Sequence, residues 1–235
     1  VGNIGLGDNL IPVVISQTGI GSALASASVA IAHMKYNPQL IINQGIAGGH
    51  NPELNIGDIV IGEFCVNLNA LKTPFRSVGE GSNSLDWQPK RNRGIGGGHE
   101  EISPKDAQAI ARCNRLSADS NLLVSCKAYD SECTTNMTTQ RRTIYGGIGS
   151  CETWNSELDR LQMFREVFQT ECEEMEAAFA AKVAQYCGIP FISIRIISNN
   201  ITNNSNYTVS VAEECQKYAL NVCRIYYSKF CKEAI

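Results

Sequence analysis

Residues 167–202, VFQTECEEMEAAFAAKVAQYCGIPFISIRIISNNIT, constrain the fold more than any other stretch of this chain. An acidic cluster (Glu173, Glu174, Glu176) reads as the opening of an Ala-rich helix, and Gly188-Ile189-Pro190 as its end. The apolar, β-branched run from Phe191 to Ile197 has the composition of a buried strand, and it delivers Ser198-Asn199-Asn200 to that strand's end. In an open α/β sheet ligands sit at the carboxyl ends of strands, so Asn199 is a candidate functional residue on position alone.

The first sixty residues repeat the pattern. Val13 to Ser16 reads as a strand, and Thr18-Gly19-Ile20-Gly21-Ser22 turns it into a helix from Ala23 to Met34 whose small residues let it lie close to a sheet. Leu40 to Asn43 is the next strand, Gln44 to Gly49 a Gly-rich turn, and Ile59 to Gly62 a further strand. Residues 65–105 have little periodicity, and Gly94-Ile95-Gly96-Gly97-Gly98 reads as a mobile surface loop. Helices are expected from Pro104 to Arg115, with Ser103 as N-cap and Asp106 in the first turn, over 155–168, and from Ala212 to Lys232. Strands alternating with helices imply an α/β fold with a partly parallel sheet, and 235 residues without an evident linker imply one domain, 1–235.

Composition excludes several classes. A formal net charge of -3 leaves no electrostatic footprint for nucleic acid or an anionic membrane, and the apolar runs are of strand length, too short to span a bilayer. The ten cysteines lack CxxC spacing, which argues against a structural metal site; an even, dispersed count fits disulfides, with Cys126 and Cys133 as a local pair and Cys215 or Cys223 bonded near the terminal helix. N-x-S/T sequons stand at Asn136, Asn200, Asn203 and Asn206. Together these predict a secreted or vacuolar glycoprotein whose signal peptide has been removed, glycosylated at Asn136 or Asn206.

Five segments in order, TGIG (18–21), LIINQGIAGGHNPELNIGDIVIGE (40–63), GSCETWNSE (149–157), EEMEAA (173–178) and IPFISIRIISN (189–199), resemble the nucleoside phosphorylase and nucleosidase superfamily. The resemblance is to 5'-methylthioadenosine/S-adenosylhomocysteine nucleosidases and to plant bark-storage proteins. It implies a three-layer α/β sandwich with a twisted mixed sheet flanked by helices, hydrolysis of a purine N-glycosidic bond without a cofactor, and a homo-oligomer with residues 65–100 as an interface element. It implies that Glu176 and the Met175 backbone hold the ribose hydroxyls, as suits a carboxylate that accepts two charge-assisted hydrogen bonds. Glu174 is placed beside them at the substrate, its other reading being an acidic first turn that complements the helix dipole. Trp154 would stack on the purine, Ser150 and Glu152 would orient the base edge or the loop, and Gly45, Ile46, Ala47 and Gly48 would lie against the ribose or the nucleophile.

The chain also departs from that pattern. Where the nucleosidases carry an aspartic acid that protonates the departing purine at N7, this chain has Asn199, which donates an N–H but no proton, favouring 6-oxopurines or a slow reaction. The phosphate-binding arginine and serine of phosphorolytic members are absent from Asn43-Gln44-Gly45-Ile46, so water is the expected nucleophile. The chain opens within a hairpin (Gly7-Asp8-Asn9), and the water-activating glutamate that precedes it in the family is not among these residues; His50 is the one local substitute. Two functions follow from this reading: a purine nucleosidase, or a non-catalytic storage or sugar-binding glycoprotein on the same scaffold.

Overall fold

The structure, a computed structural model, describes residues 1–7, 9–90, 107–134 and 141–231. The glycine run at 94–98, the N-cap expected at Ser103, Asp106, Asp8 and the Asn136 sequon lie outside the described residues. Strands β1 (Gly2–Leu6) and β2 (Asn9–Val13) pair antiparallel, with Gly7 at φ 58°, so the hairpin expected there is present. The strand read as Val13 to Ser16 therefore lies earlier, and residues 14–19 are irregular.

Helix α1 (Ser22–Tyr36) leads to β3 (Ile41–Gly49) and β4 (Ile59–Asn67). The Gly-rich turn read at Gln44 to Gly49 is the second half of β3. Its glycines are strand residues because Arg195 and Asn199 of β10, and Asn200 just after it, press their side chains into the space a Cβ would fill at Gly45, Gly48 and Gly49. Short β5 (Leu71–Lys72) and β6 (Gln88–Pro89) pair with each other before α2 (Ala107–Cys113), β7 (Leu116–Ser117) and α3 (Ser120–Thr134). Then come β8 (Thr143–Ser150), α4 (Leu158–Met163) continued by a π-helical turn over Phe164–Phe168, β9 (Thr170–Glu174), α5 (Ala177–Tyr186), β10 (Phe191–Asn199) and α6 (Ala212–Phe230).

The main sheet runs β10-β3-β9-β8-β4-β7, with β10–β3, β4–β8 and β8–β9 parallel and the rest antiparallel. It curls until β4 also pairs with β10, so five strands close on themselves. Helices α1 and α5 cover one side, packing Ala25, Val29 and the alanines of α5 against Val60, Ile148 and Ile197. Helices α3 and α6 cover the other, where Leu122, Tyr218 and Val222 meet Ile59, Ile61, Ile192 and Ile194. This is the mixed sheet between helical layers that the sequence implies. β10 is buried at every position but its last, as a strand covered on both faces must be.

The αβ unit that opened the argument ends as expected. Gly188 takes φ 69°, its N–H bonds the Gln185 carbonyl (3.2 Å), and the Ile189 N–H reaches back to Ala184 (2.9 Å), a Schellman closure of α5 before Pro190. All ten cysteines are free, which corrects the expected disulfides. Cys126 and Cys133 stand seven residues apart on one helix, a rise of about 10 Å that no disulfide spans. Cys215 and Cys223 share α6 and are separated in the same way.

Candidate functional site

A cleft of about 250 Å³ opens at the carboxyl ends of β3, β9 and β10, closed on one side by the loop after β8. Its walls include Ile46, Ala47, Gly48, Trp154, Glu174, Met175, Glu176 and Asn199, so most of the residues singled out in the sequence converge on one place. Gly45, Ser150 and Glu152 do not line it.

The acidic cluster divides its labour. Glu173 and Glu174 close strand β9 rather than opening the helix. Glu174 is buried and its carboxylate caps α5, accepting from the Ala177 N–H (2.9 and 3.0 Å) and the Glu176 N–H (3.0 Å). It also takes the Ser150 hydroxyl and pairs with Arg195, which is buried in turn and bonds Asn43 Oδ1. Each lone pair of Glu174 so engaged is withdrawn from a ligand, and its role is to neutralise Arg195 and start α5. Ser150 completes this cage, its Oγ accepting from the Ala178 N–H (2.8 Å), which is why it lies behind the cleft. Gly45 belongs to the same buried layer: a Cβ there would stand 2.5 Å from the Arg195 guanidinium. β3 carries no cation, as the sequence says, yet Arg195 stands directly behind it. A lone arginine inside an apolar strand was the signal for it.

Glu176, one residue past the cap, is only partly buried, and its Oε1 accepts the Gly21 N–H (2.8 Å) at the start of α1. Burial, and then the neighbouring Glu174, raise its carboxyl above the ordinary glutamate value. Glu152 serves the same helix end from outside the cleft, accepting the Ser22 N–H (2.9 Å) and the Ser22 hydroxyl, which lower its carboxyl. Its job is to hold α1 against the β8 loop rather than to orient a base.

Opposite Glu176 the cleft is aromatic and amide-rich. Trp154 is 70% exposed and meets Tyr207 edge-on (centroids 6.1 Å apart), so its ring is free to cover a flat ligand. Asn199 sits after a bulge at the end of β10, where Ser198 Oγ donates to its Oδ1 (3.0 Å) and leaves the amide N–H pair for the cleft. His50, in the bend just after β3, is buried, its Nδ1 donating to Thr170 Oγ1 (2.8 Å), whose own proton goes to the Phe164 carbonyl (3.2 Å). Its Nε2 lies 3.4 Å from Glu173 Oε2 without hydrogen-bond geometry. Asn155 donates to that oxygen at 2.7 Å. Ile20 and Asn155, which lie in the TGIG and GSCETWNSE segments but were not singled out as site residues, and Tyr207, which lies in none of the five segments, also reach the cleft through the folding of separate loops.

A profile of the phosphorylase superfamily matches residues 9–229. The 5'-methylthioadenosine/S-adenosylhomocysteine nucleosidase of Shewanella halifaxensis is 30% identical over 194 residues, covering 82% of this chain and 70% of that protein. Among solved structures, a putative methylthioadenosine nucleosidase from Weissella paramesenteroides superposes with a TM-score of 0.65 at 20% identity, covering 97% of this chain and 88% of the other. The Colwellia psychrerythraea nucleosidase in complex with adenine does so with a TM-score of 0.65 at 19% identity, over 95% and 81%. At these identities the two structures speak for the fold.

Proposed function

The chain belongs to the phosphorylase superfamily, and on that premise we propose that it is an N-glycosyl hydrolase of nucleosidase type, like the relatives it resembles, whose cleft binds purine nucleosides and releases the free base to water. The observation that carries this reading is the convergence on one cleft of an exposed tryptophan, a carboxylate at a helix N-terminus and a strand-end amide. Trp154 covers the base, a stacking contact worth roughly 1 to 3 kcal/mol. Glu176, with Oε1 on the Gly21 amide and Oε2 taking only a long bond from the Met175 N–H (3.3 Å), has acceptor capacity left for the ribose diol, the one part of a nucleoside that offers two adjacent hydroxyl donors. Asn199 donates to N7 as charge builds on the departing base.

A donated hydrogen bond stabilises that charge but does not remove it, so the reaction favours bases that leave readily without a proton at N7. Arg195 is spent on Glu174, which leaves no cation of the cleft to hold phosphate among the described residues. Water is therefore the nucleophile in this reading. The storage or sugar-binding alternative gains nothing from the relatives, which are nucleosidases.

The test is base release from a panel of purine nucleosides with and without phosphate. Release that is unchanged by phosphate is expected. Release only with phosphate would make the protein a phosphorylase, and no release with no purine binding would end the reading.

A further inference from the structure

β10, β3 and β9 are neighbours, and their register places Asn199 opposite Gly48 and Gly48 opposite Glu173. Residues directly opposed across strands share a face, so Asn199 and Glu173 flank a glycine on the floor of the cleft. A Cβ on Gly48 would stand 3.3 Å from the Asn199 amide nitrogen, so the glycine keeps the gap between them open. Two strand spacings separate their backbones by roughly 10 Å. That gap suits a planar bicyclic base with hydrogen bonds of about 2.9 Å at its two opposite edges.

Glu173 is held for such a purpose. Its side chain is 13% exposed and lines the cleft, and both of its polar neighbours, Asn155 Nδ2 (2.7 Å) and His50 Nε2 (3.4 Å), address Oε2. Among the described residues no donor reaches Oε1. Oε1 is therefore the oxygen that Glu173 offers to a donor on a ligand in the cleft. Glu173 caps no helix and neutralises no arginine, unlike Glu174 one position on.

We propose that Glu173 is the specificity-determining residue of the cleft, reading the N1–C2 edge of a 6-oxopurine and rejecting adenine. The inference rests on the reading of the cleft as a purine site. With Asn199 at N7, the opposite edge of the base carries N3, C2 and N1. In adenine that edge offers only acceptors, which meet a carboxylate lone pair to lone pair. Hypoxanthine presents one N–H there, and guanine presents N1–H together with its 2-amino group. A carboxylate accepts and never donates, so the order of preference is guanine, then hypoxanthine, then adenine. Asn199 acts on the far edge and cannot rank guanine above hypoxanthine; Glu173 does.

The experiment uses the full chain and its Glu173→Gln variant, with hypoxanthine and adenine measured by calorimetry and guanine by displacement of hypoxanthine. The wild type is expected to bind hypoxanthine about ten-fold or more tightly than adenine, guanine more tightly still, and the variant to lose that margin because its amide donates to adenine N1. Glu173→Leu, which removes the acceptor without adding a donor, serves as the second variant and is expected to weaken guanine most. Thermal melting checks that both variants fold. If the wild type prefers adenine, or if either folded variant keeps the wild-type ranking, purines bind but Glu173 does not read them, and the inference falls alone. If none of the three bases binds the wild type, the purine reading falls and the inference with it.

Discussion

Glu174 and Glu176 are two residues apart in one acidic motif, yet the fold puts one in the core and the other at the ligand. Replacing Glu174 by alanine leaves the buried Arg195 guanidinium without its counter-charge and α5 without its cap, a loss of roughly 3 to 5 kcal/mol that chemical denaturation would measure. Glu176→Ala is expected to leave folding nearly intact and to abolish nucleoside binding in calorimetry. Its raised carboxyl gives a pH signature with a definite sign. As pH falls through that raised value the group gains a proton and ceases to accept from both ribose hydroxyls, so nucleoside affinity drops at a higher pH than an ordinary glutamate would set. Free purine base, which has no diol, should not share the drop. For stability the sign is opposite: the folded chain holds this proton more tightly than the unfolded one, so the contribution is present below the ordinary glutamate value and lost as pH rises through the raised one. At the other end of the base, Asn199→Asp supplies the missing acid. Cleavage of adenosine, followed by adenine release, should rise by about 10²-fold, and an unchanged rate would mean that N7 does not lie at this position.

At the scale of elements, what was legible depended on whether local chemistry or tertiary neighbours decided the structure. Helix α5 was legible because its alanines, Gly188 and Pro190 specify it locally; Gly188→Ala forces a side chain into φ 69° and is expected to cost about 1 kcal/mol in thermal unfolding. The hairpin, α1 and β10 were readable for the same kind of reason. The second half of β3 was not, because six residues rich in glycine look like a turn until Arg195, Asn199 and Asn200 are seen filling the space above them. Strand β9 was hidden by its glutamates, which look like a helix opening but alternate between a buried cage and the cleft. Helix α3 went unseen because its inward positions include Cys126 and Tyr129 beside the leucines, a weak apolar stripe. The site followed the same division. Trp154, Glu176 and Asn199 lie in motifs that stand out along the chain, whereas Gly45, Ser150 and Glu152 turned from ligand positions into supports because Arg195 and the α1 N-terminus claimed the space and the hydrogen bonds.

Taken whole, the molecule buries half of its ten thiols rather than linking them. Burial raises Cys65, Cys172 and Cys215 well away from thiolate formation, and burial with Asp130 pushes Cys126 up to about 12, so these sulfurs resist oxidation and exchange. Thiol titration in denaturant without reductant should find all ten; two or fewer would restore the disulfide reading. Two of the sequons are likewise closed by the fold, since the Asn200 and Asn203 amides both donate to the Leu54 carbonyl, and any glycan within 141–231 belongs on exposed Asn206. The outer surface argues for assembly. Helix α1 exposes Leu24, Ile31 and Met34 along one face, and Leu10 and Ile15 are exposed on the segment before it. We propose that a second copy of the chain covers this face, and, because α1 begins at the Gly21 amide that holds Glu176, stiffens the ribose end of the cleft. Light scattering at micromolar concentration is expected to give at least twice 25.6 kDa. Ile31→Lys with Met34→Glu should split the assembly and weaken nucleoside binding together. A wild type that scatters as a single 25.6 kDa species, or a dissociated variant that binds as tightly as before, would detach the cleft from assembly.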